Sequence, residues 1–308
     1  MPKYAYIFSG QGAQFAGMGR ELYDNYSVCK DIFDKAEELC GFPLKSICFD
    51  ADKAETLNDT RYCQAAIYAH SMAALEVVKE RLGDAICTAG LSLGEYSALT
   101  YAGAMSLSQG VEFLKNRGAF MADACDVTDG AMSAVMGISY EDCMKACNEA
   151  ADEAENEFVN VSNVNTIGQV VISGCAAAVA RAEEACKKYG GKRAIRLPVS
   201  GAYHSVYMQS AADRLAEYLN SFSFGEMRMP VVSNVDGEVY ADVSRIVGTL
   251  SRQVTASVLW ADCVRKMAAL GADCFVEIGP GKALSGFVAK VLPGAKVLTY
   301  TDVIEGQD

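Results

Sequence analysis

The chain has 308 residues, of which 51% are hydrophobic and 21% are charged. This balance excludes a disordered chain and fits one large folded domain or two smaller ones. The net charge of −12 at pH 7 argues against nucleic acid as the main partner, and no apolar run approaches the ~20 residues that a membrane helix needs.

The start of the chain and the cysteines both bear on the cellular compartment. Residues 1–8 lack the long apolar region and the cleavage site of a signal peptide, and they are predicted to include a first strand. The twelve cysteines are scattered and form no C-x-x-C pair, and many stand in apolar segments, where cysteine behaves as a small hydrophobe. We therefore expect reduced thiols, no zinc site and a cytoplasmic location.

Strand-like and helix-like segments alternate along most of the chain, which favours an α/β fold with a mainly parallel sheet. The first unit is a strand over residues 4–8, a glycine-rich loop over 9–14 and a helix over about 24–39. The loop lacks the spacing of a dinucleotide site, so it either offers N–H groups to an anion or is a plain tight turn. In the apolar helix that follows, to residue 82, His70 is expected to be packed rather than catalytic.

Gly90-Leu91-Ser92-Leu93-Gly94 is a G-x-S-x-G run between a short buried strand and the start of a helix. Glycine two places on either side of the serine allows a sharp turn, which exposes the hydroxyl and leaves neighbouring N–H groups free. Ser92 is therefore a candidate nucleophile for acyl transfer. The five-residue pattern also occurs by chance, and its place between strand and helix is what favours catalysis.

A second candidate lies on the helix predicted over residues 108–124, which Ser106 can cap. Arg117 falls on the apolar side of this helix, together with Phe113 and Phe120. A buried guanidinium needs an anion, because removing one partner of a buried pair costs about 3–5 kcal/mol. The anion is either an internal carboxylate or a substrate carboxylate held by two hydrogen bonds.

Residues 130–200 have a different character from the rest of the chain. Their predicted order of strands and helices is βαββαβ, which fits a small ferredoxin-like unit. Because α/β segments resume after it, the unit is predicted to be an insertion. The expected domains are a discontinuous catalytic domain, residues 1–129 and 201–308, and a subdomain over 130–200.

His204 is one of only two histidines in the chain. A helix is predicted to begin there, and the positive end of the helix dipole would keep the imidazole neutral and available as a base. If Ser92 needs a histidine, His204 is the candidate; the alternative is a capping or surface histidine. Further along, Gly281-Lys282-Ala283 lacks the Ser or Thr of a P-loop, so no nucleotide site is expected.

Taken together, these segments closely resemble the malonyl-CoA:acyl carrier protein transacylases of type II fatty acid synthesis. The resemblance covers nearly the whole chain, and several motifs occur in the right order. They are the loop at Ser9-Gly10-Gln11-Gly12-Ala13-Gln14, the Ser92 run with Glu95-Tyr96-Ser97, Arg117, Asn163-Val164-Asn165, Gly168-Gln169-Val170-Val171-Ile172-Ser173-Gly174, Leu197-Pro198-Val199-Ser200 before His204, Gln253, and Glu277-Ile278-Gly279-Pro280-Gly281-Lys282.

The resemblance implies a hydrolase-like α/β domain interrupted by a ferredoxin-like subdomain, and it implies a role for each matching residue. Ser92 would be the nucleophile and His204 the base. Arg117 would hold the malonyl carboxylate. The remaining implied roles are oxyanion N–H groups from Gln11 and Leu93, a backbone carbonyl of Gln253 supporting the histidine, and pocket positions Gln64, Asn163, Ser200 and Tyr203.

Two positions depart from or refine the family pattern. Many relatives carry histidine where this chain has Leu91, which leaves the serine and the base intact but removes a polar group near the substrate. Tyr203 precedes the base, and in related acyltransferase domains a bulky aromatic residue there accompanies unbranched malonyl.

The implied reaction moves malonyl from malonyl-CoA to the phosphopantetheine thiol of acyl carrier protein through a malonyl-serine, without a metal or redox cofactor. Two alternatives stay open: a serine acylhydrolase such as a thioesterase, and a non-catalytic carrier-binding module. Because acyl carrier proteins are acidic like this chain, docking would need a local basic patch. The densest basic cluster is Lys187, Lys188, Lys192, Arg193 and Arg196, which could equally be a solvated face.

Overall fold

The computed structural model describes residues 2–152, 155–199 and 201–306. Strands and helices alternate and form two sheets. The strands are β1 Tyr4–Phe8, β2 Cys87–Gly90, β3 Gly130–Met136, β4 Val159–Thr166, β5 Gln169–Cys175, β6 Arg193–Arg196, β7 Val231–Val232, β8 Cys274–Ile278 and β9 Lys296–Thr299. The helices are α1 Arg20–Asn25, α2 Ser27–Cys40, α3 Leu44–Phe49, α4 Ala54–Asn58, α5 Thr60–Leu82, α6 Gly94–Ala102, α7 Leu107–Asp126, α8 Tyr140–Ala150, α9 Ala176–Lys188, α10 Gln209–Leu219, α11 Ile246–Gln253, α12 Trp260–Ala269, α13 Ala283–Val291 and α14 Tyr300–Ile304.

The larger sheet is parallel throughout, with strand order β7-β2-β1-β8-β9. Strands β2, β7 and β8 are buried throughout and β1 nearly so, as expected for a parallel sheet covered by helices, whereas the edge strand β9 is partly exposed. Phe8 pairs with both Gly90 and Ile278, so β1, β2 and β8 end level with one another. The loops that follow these three strands therefore meet at one edge, which is where ligands bind in open α/β sheets.

The smaller sheet is antiparallel, with strand order β4-β5-β3-β6. Helices α8 and α9 pack on it around a separate core that includes Val161, Ile172 and Val179. This arrangement confirms the predicted α/β fold with a ferredoxin-like unit inside it. The exact domain limits at 129/130 and 200/201 stay a prediction.

Three local expectations need correction. The helix expected over 24–39 is two helices, α1 and α2, because Tyr26 is extended (φ −131°, ψ 119°). The helix expected at His204 starts later: a short 3-10 turn at Val206–Met208 leads into α10 at Gln209. The sequence predicts an acidic helix over residues 140–154, whereas α8 ends at Ala150.

Other expectations concern the cysteines, His70 and membranes. All twelve cysteines are free, and ten of them are buried. His70 is fully buried in α5, where burial lowers its pKa to about 3 and its Nε2 lies 3.3 Å from the Tyr300 hydroxyl. Within the described residues, no helix combines the length and the apolar character that crossing a membrane requires.

Candidate active site

Ser92 stands at the turn between β2 and α6. Its φ of +53° is unusual for a residue with a side chain, and its backbone N–H donates to Asn234 Oδ1 at 2.7 Å. The flanking glycines are required by close approach: a Cβ on Gly90 would lie 2.0 Å from the backbone of Gly94, and one on Gly94 would lie 2.4 Å from the carbonyl of Phe8. The sequence therefore forms the sharp turn that the G-x-S-x-G run predicts.

His204 lies opposite the serine, on the loop that precedes α10. Its Nε2 is 2.9 Å from Ser92 Oγ, and its Nδ1 is 2.7 Å from the backbone carbonyl of Gln253. Because a carbonyl only accepts, Nδ1 carries the proton and Nε2 is left to accept the serine proton. Burial first, and the charge of Arg117 second, lower the pKa of His204 to about 4, so the imidazole is neutral at pH 7. The imidazole is neutral as expected, but the causes are burial and a neighbouring cation and not the expected helix dipole, because the helix begins only at Gln209.

Arg117 projects from α7 toward the same serine and is 1% exposed. One Nη donates to Gln64 Oε1 at 2.6 Å, and the other donates to Ser92 Oγ and to Gln253 Oε1, each at 3.1 Å. Among the described residues, these partners are all neutral, and Nε has no hydrogen-bond partner. Among the described residues, Arg117 therefore forms no salt bridge with an internal carboxylate, which was one of the two alternatives left open by the sequence. The guanidinium can bind an anionic ligand.

Gln11 and Leu93 are the two residues predicted to supply oxyanion N–H groups: Gln11 lines the same pocket as Ser92, and Leu93 follows Ser92 in the chain. Gln11 follows β1, and Leu93 is the residue before α6. Neither N–H donates to another group within the described residues. Two hydrogen bonds anchor the loop that carries Gln11. The Gln11 side-chain amide donates to Thr60 Oγ1 at 2.9 Å, and the Thr60 hydroxyl is hydrogen-bonded to Tyr203. Free N–H groups at this position can stabilise an oxyanion.

A pocket with about 270 Å³ of space lies next to Ser92 and His204. Residues from both sheets line it, including Asn163 on β4, which is 8% exposed, and Glu277 on β8. Tyr203, on the loop before His204, lines it as well. Leu91 also lines the pocket, so the departure from the family pattern lies next to Ser92 and His204. Ser200, also expected here, lies outside the described residues. The other lining residues include Met121, Met132, Val171, Leu197, Val199, Ala283 and Phe287.

Three buried residues to which the sequence assigned no role also belong to this site: Asn234, Glu95 and Tyr240. Asn234, after β7, accepts the Ser92 N–H, and its Nδ2 donates to the Gly90 carbonyl at 2.8 Å. Glu95 accepts hydrogen bonds from the Asn234 backbone N–H and from the Tyr240 hydroxyl. The only sequence signal for any of them is the place of Glu95, three residues after Ser92 on the helix that the turn opens.

Comparison with known proteins gives consistent matches over nearly the full length. Residues 5–296 match the acyl transferase domain family. The malonyl CoA-acyl carrier protein transacylase of Bacillus subtilis is 41% identical over 302 residues, which cover 98% of this chain and 94% of that protein. The chain belongs to this transacylase family. An acyl carrier protein S-malonyltransferase from Vibrio cholerae has a similar crystal structure, with a TM-score of 0.90, 39% identity and 96% of each chain covered.

Another solved member of the family is a malonyl-transacylase in complex with its type II PKS acyl-carrier protein. It matches this chain with a TM-score of 0.91 at 34% identity, and 99% of each chain is covered. Within the family fold, the residues described above can carry out acyl transfer through a serine ester. The roles of the individual residues stay predictions.

Proposed function

We propose that this protein transfers malonyl from malonyl-CoA to the phosphopantetheine thiol of acyl carrier protein, supplying malonyl-carrier for fatty acid elongation. The observation that carries the proposal is the buried Arg117 guanidinium, held 3.1 Å from a serine that is itself 2.9 Å from a neutral histidine. A nucleophile and a base serve any acyl group, whereas the guanidinium favours an acyl group that ends in a carboxylate.

In the first half-reaction, His204 Nε2 takes the Ser92 proton as Oγ attacks the thioester carbonyl. The Gln11 and Leu93 N–H groups stabilise the oxyanion, each contributing on the order of 3 kcal/mol. The tetrahedral intermediate collapses, the C–S bond breaks, and His204 delivers the proton to the departing coenzyme A sulfur. The product is a malonyl ester on Ser92.

In the second half-reaction, the carrier thiol gives its proton to His204 Nε2 and attacks the malonyl-serine carbonyl. The same two N–H groups hold the oxyanion. Ser92 then leaves as its Oγ recovers the proton, which gives a ping-pong scheme. The Gln253 carbonyl holds the tautomer of His204 throughout, so the site works without an acidic third residue.

Specificity in this proposal comes from the surroundings of the acyl group. Arg117 binds the malonyl carboxylate, and Gln64 fixes the guanidinium through a 2.6 Å hydrogen bond. Asn163 and Tyr203 line the acyl pocket, and Ser200 is assigned there from the resemblance alone. Tyr203 is 6% exposed, and its bulk favours the unbranched malonyl group.

The reaction needs no metal or redox cofactor in this scheme. Across the described residues, no group of three or more His, Cys, Asp or Glu side chains is arranged to hold a metal ion.

We also propose a cytoplasmic location, which the twelve free cysteines favour because thiols persist in a reducing compartment.

Docking of the acidic carrier is assigned to the basic cluster at the end of the small subdomain. Lys192 and Arg193 are exposed and form no ion pair within the described residues. They are the strongest candidates for contact with the carrier. The other three members are paired internally: Lys187 with Glu184, Lys188 with Glu149 and Arg196 with Glu183.

The test combines malonyl-CoA with the protein and follows the acyl group by intact mass and by transfer to a phosphopantetheine carrier. We expect a malonyl adduct on the wild type, none on Ser92→Ala, and transfer that depends on the carrier thiol. Free malonate without transfer would instead indicate the hydrolase, and no adduct at all would indicate a binding module. Neither the acyl transferase domain nor the relatives named above support the hydrolase.

A further inference from the structure

Glu95 is a buried ionisable group that the proposed mechanism does not use. Glu95 lies on α6 directly behind the nucleophile and is completely buried. Within the described part of the chain, its hydrogen-bond partners are all neutral: the Asn234 backbone, the Gln253 amide and the Tyr240 hydroxyl. A carboxyl group placed like this is costly unless it is fully hydrogen-bonded. Burial raises its pKa to about 7, while the three donors and the charge of Arg117 oppose the shift.

The geometry around Glu95 fixes how it meets Gln253. Its Oε2 accepts from the Asn234 N–H at 3.0 Å and from Gln253 Nε2 at 2.7 Å. Because two donors already meet at Oε2, a proton taken up by the carboxyl group sits on Oε1, which faces Tyr240. Gln253 therefore presents its nitrogen to Glu95 whether or not the carboxyl group is ionised.

The orientation of the Gln253 amide decides what Arg117 meets. With Nε2 directed to Glu95 and to the Ser92 carbonyl at 3.0 Å, Oε1 accepts from the Arg117 guanidinium at 3.1 Å. A half-turn of the amide would set its NH2 against the arginine donors and its oxygen against two acceptors. Glu95 thus makes one orientation strongly preferred.

The Gln253 side-chain amide lies between Glu95 and Arg117 and hydrogen-bonds to both. A carboxylate in direct contact with Arg117 would compete with an acyl carboxylate for the same N–H donors. Glu95 instead lies one amide away, so its ionised form offsets the charge of the guanidinium without occupying its donors. Gln64, on the other side of the guanidinium, is neutral as well.

We infer that Glu95 is a positioning residue for the malonyl group, acting through the Gln253 side chain to aim Arg117 at the acyl carboxylate. This inference rests on the proposed function. It predicts that loss of Glu95 impairs the transfer of acyl groups that end in a carboxylate. Acetyl has no carboxylate, so its transfer should not depend on this positioning.

The experiment compares kcat/KM for malonyl-CoA and acetyl-CoA in the wild type, Glu95→Ala and Glu95→Gln. We expect Glu95→Ala to lower the malonyl-to-acetyl ratio by roughly tenfold to a hundredfold, the scale of a misplacement of about 1 Å. Glu95→Gln should restore the ratio, because its amide oxygen can accept at the Oε2 position while its NH2 donates to the Tyr240 oxygen. If Glu95→Ala does not fold, Gln253→Ala removes the linking amide, keeps the carbonyl that contacts His204, and should lower the ratio similarly.

The same change in an Arg117→Ala background separates positioning from structural support. If Glu95 acts through Arg117, adding Glu95→Ala to that background lowers malonyl transfer no further. Equal losses for both acyl groups, or the same loss in both backgrounds, would overturn the inference while the wild type still forms its malonyl adduct. A wild type that forms no adduct would instead refute the proposed function, and the role of Glu95 with it.

Discussion

Replacement of Arg117 by alanine tests the assignment on which the substrate depends. The side chain is 1% exposed, so a malonyl carboxylate brought to the same place in the variant is left in a buried site without a cation. Leaving one member of a buried pair alone costs about 3–5 kcal/mol. At about 1.4 kcal/mol for each factor of ten, kcat/KM for malonyl-CoA should fall roughly a hundredfold to a few thousandfold.

Acetyl transfer should fall much less in the same variant. The loss for acetyl reflects only the hydrogen bonds that the guanidinium makes with Ser92, Gln64 and Gln253, which are neutral groups. The assay is single-turnover formation of the acyl-enzyme from each acyl-CoA, with the two acyl groups compared on one preparation. Arg117→Lys is the matched control: it keeps the charge but lacks the planar fork, so malonyl transfer should be intermediate. Equal losses for malonyl and acetyl would refute the carboxylate role of Arg117.

Two further predictions concern stability and the carrier. His70 is neutral when folded because burial lowers its pKa from 6.5 to about 3, so the unfolded chain binds the extra proton and stability is lost as the pH falls below 6.5. His70→Gln has no group that takes up this proton, so its free energy of unfolding should not show the loss. Measured by urea unfolding, the wild type's free energy should approach that of His70→Gln by about 1.4 kcal/mol for each pH unit between pH 6 and pH 4. A difference that stays constant with pH would contradict the assignment. Lys192→Glu with Arg193→Glu should raise the carrier KM, most at low salt, and leave the malonyl-CoA KM unchanged; an unchanged carrier KM would remove the docking assignment.

The parts of the site that the sequence predicts are those with a local signal. The turn at Ser92 is visible because the glycines that allow it stand within two residues of the serine. Arg117 is visible because helical spacing places it with Phe113 and Phe120 on an apolar face, where a cation is out of place. The order of strands and helices also predicts the two kinds of sheet, because alternating strands and helices favour a parallel sheet and the βαββαβ order favours a ferredoxin-like unit.

The parts that it does not predict depend on distant contacts. Glu95 meets Asn234 and Tyr240 across 139 and 145 residues of chain, and no spacing rule joins such positions. The start of the helix after His204 is missed for a different reason. The apolar stripe of α10 continues back to the histidine, but the backbone there turns through φ +58° before the helix begins.

That backbone turn shows how the reacting pair is held. Apart from Asn156, Ser92 and His204 are the only residues other than glycine with positive φ in the described ranges 2–152, 155–199 and 201–306. Such conformations cost on the order of 1–3 kcal/mol each and persist only where their surroundings hold them. An asparagine supports each one: Asn234 accepts the Ser92 N–H at 2.7 Å, and Asn160 donates to the His204 carbonyl at 3.0 Å.

The two supports belong to different sheets, which makes the packing between the sheets part of the catalytic geometry. Asn160 lies on β4 of the small sheet, whereas the serine turn grows from the large one. Val258 connects the two sheets near this point: it packs in the core beside Ala89 and Val232 of the large sheet, and it exchanges backbone hydrogen bonds with Ser162 and Val164 of β4 at 2.8 and 2.9 Å. The 2.9 Å distance between the serine oxygen and the imidazole therefore depends on this junction as well as on the residues that react. A substitution that loosens the junction would separate the base from the nucleophile without touching either.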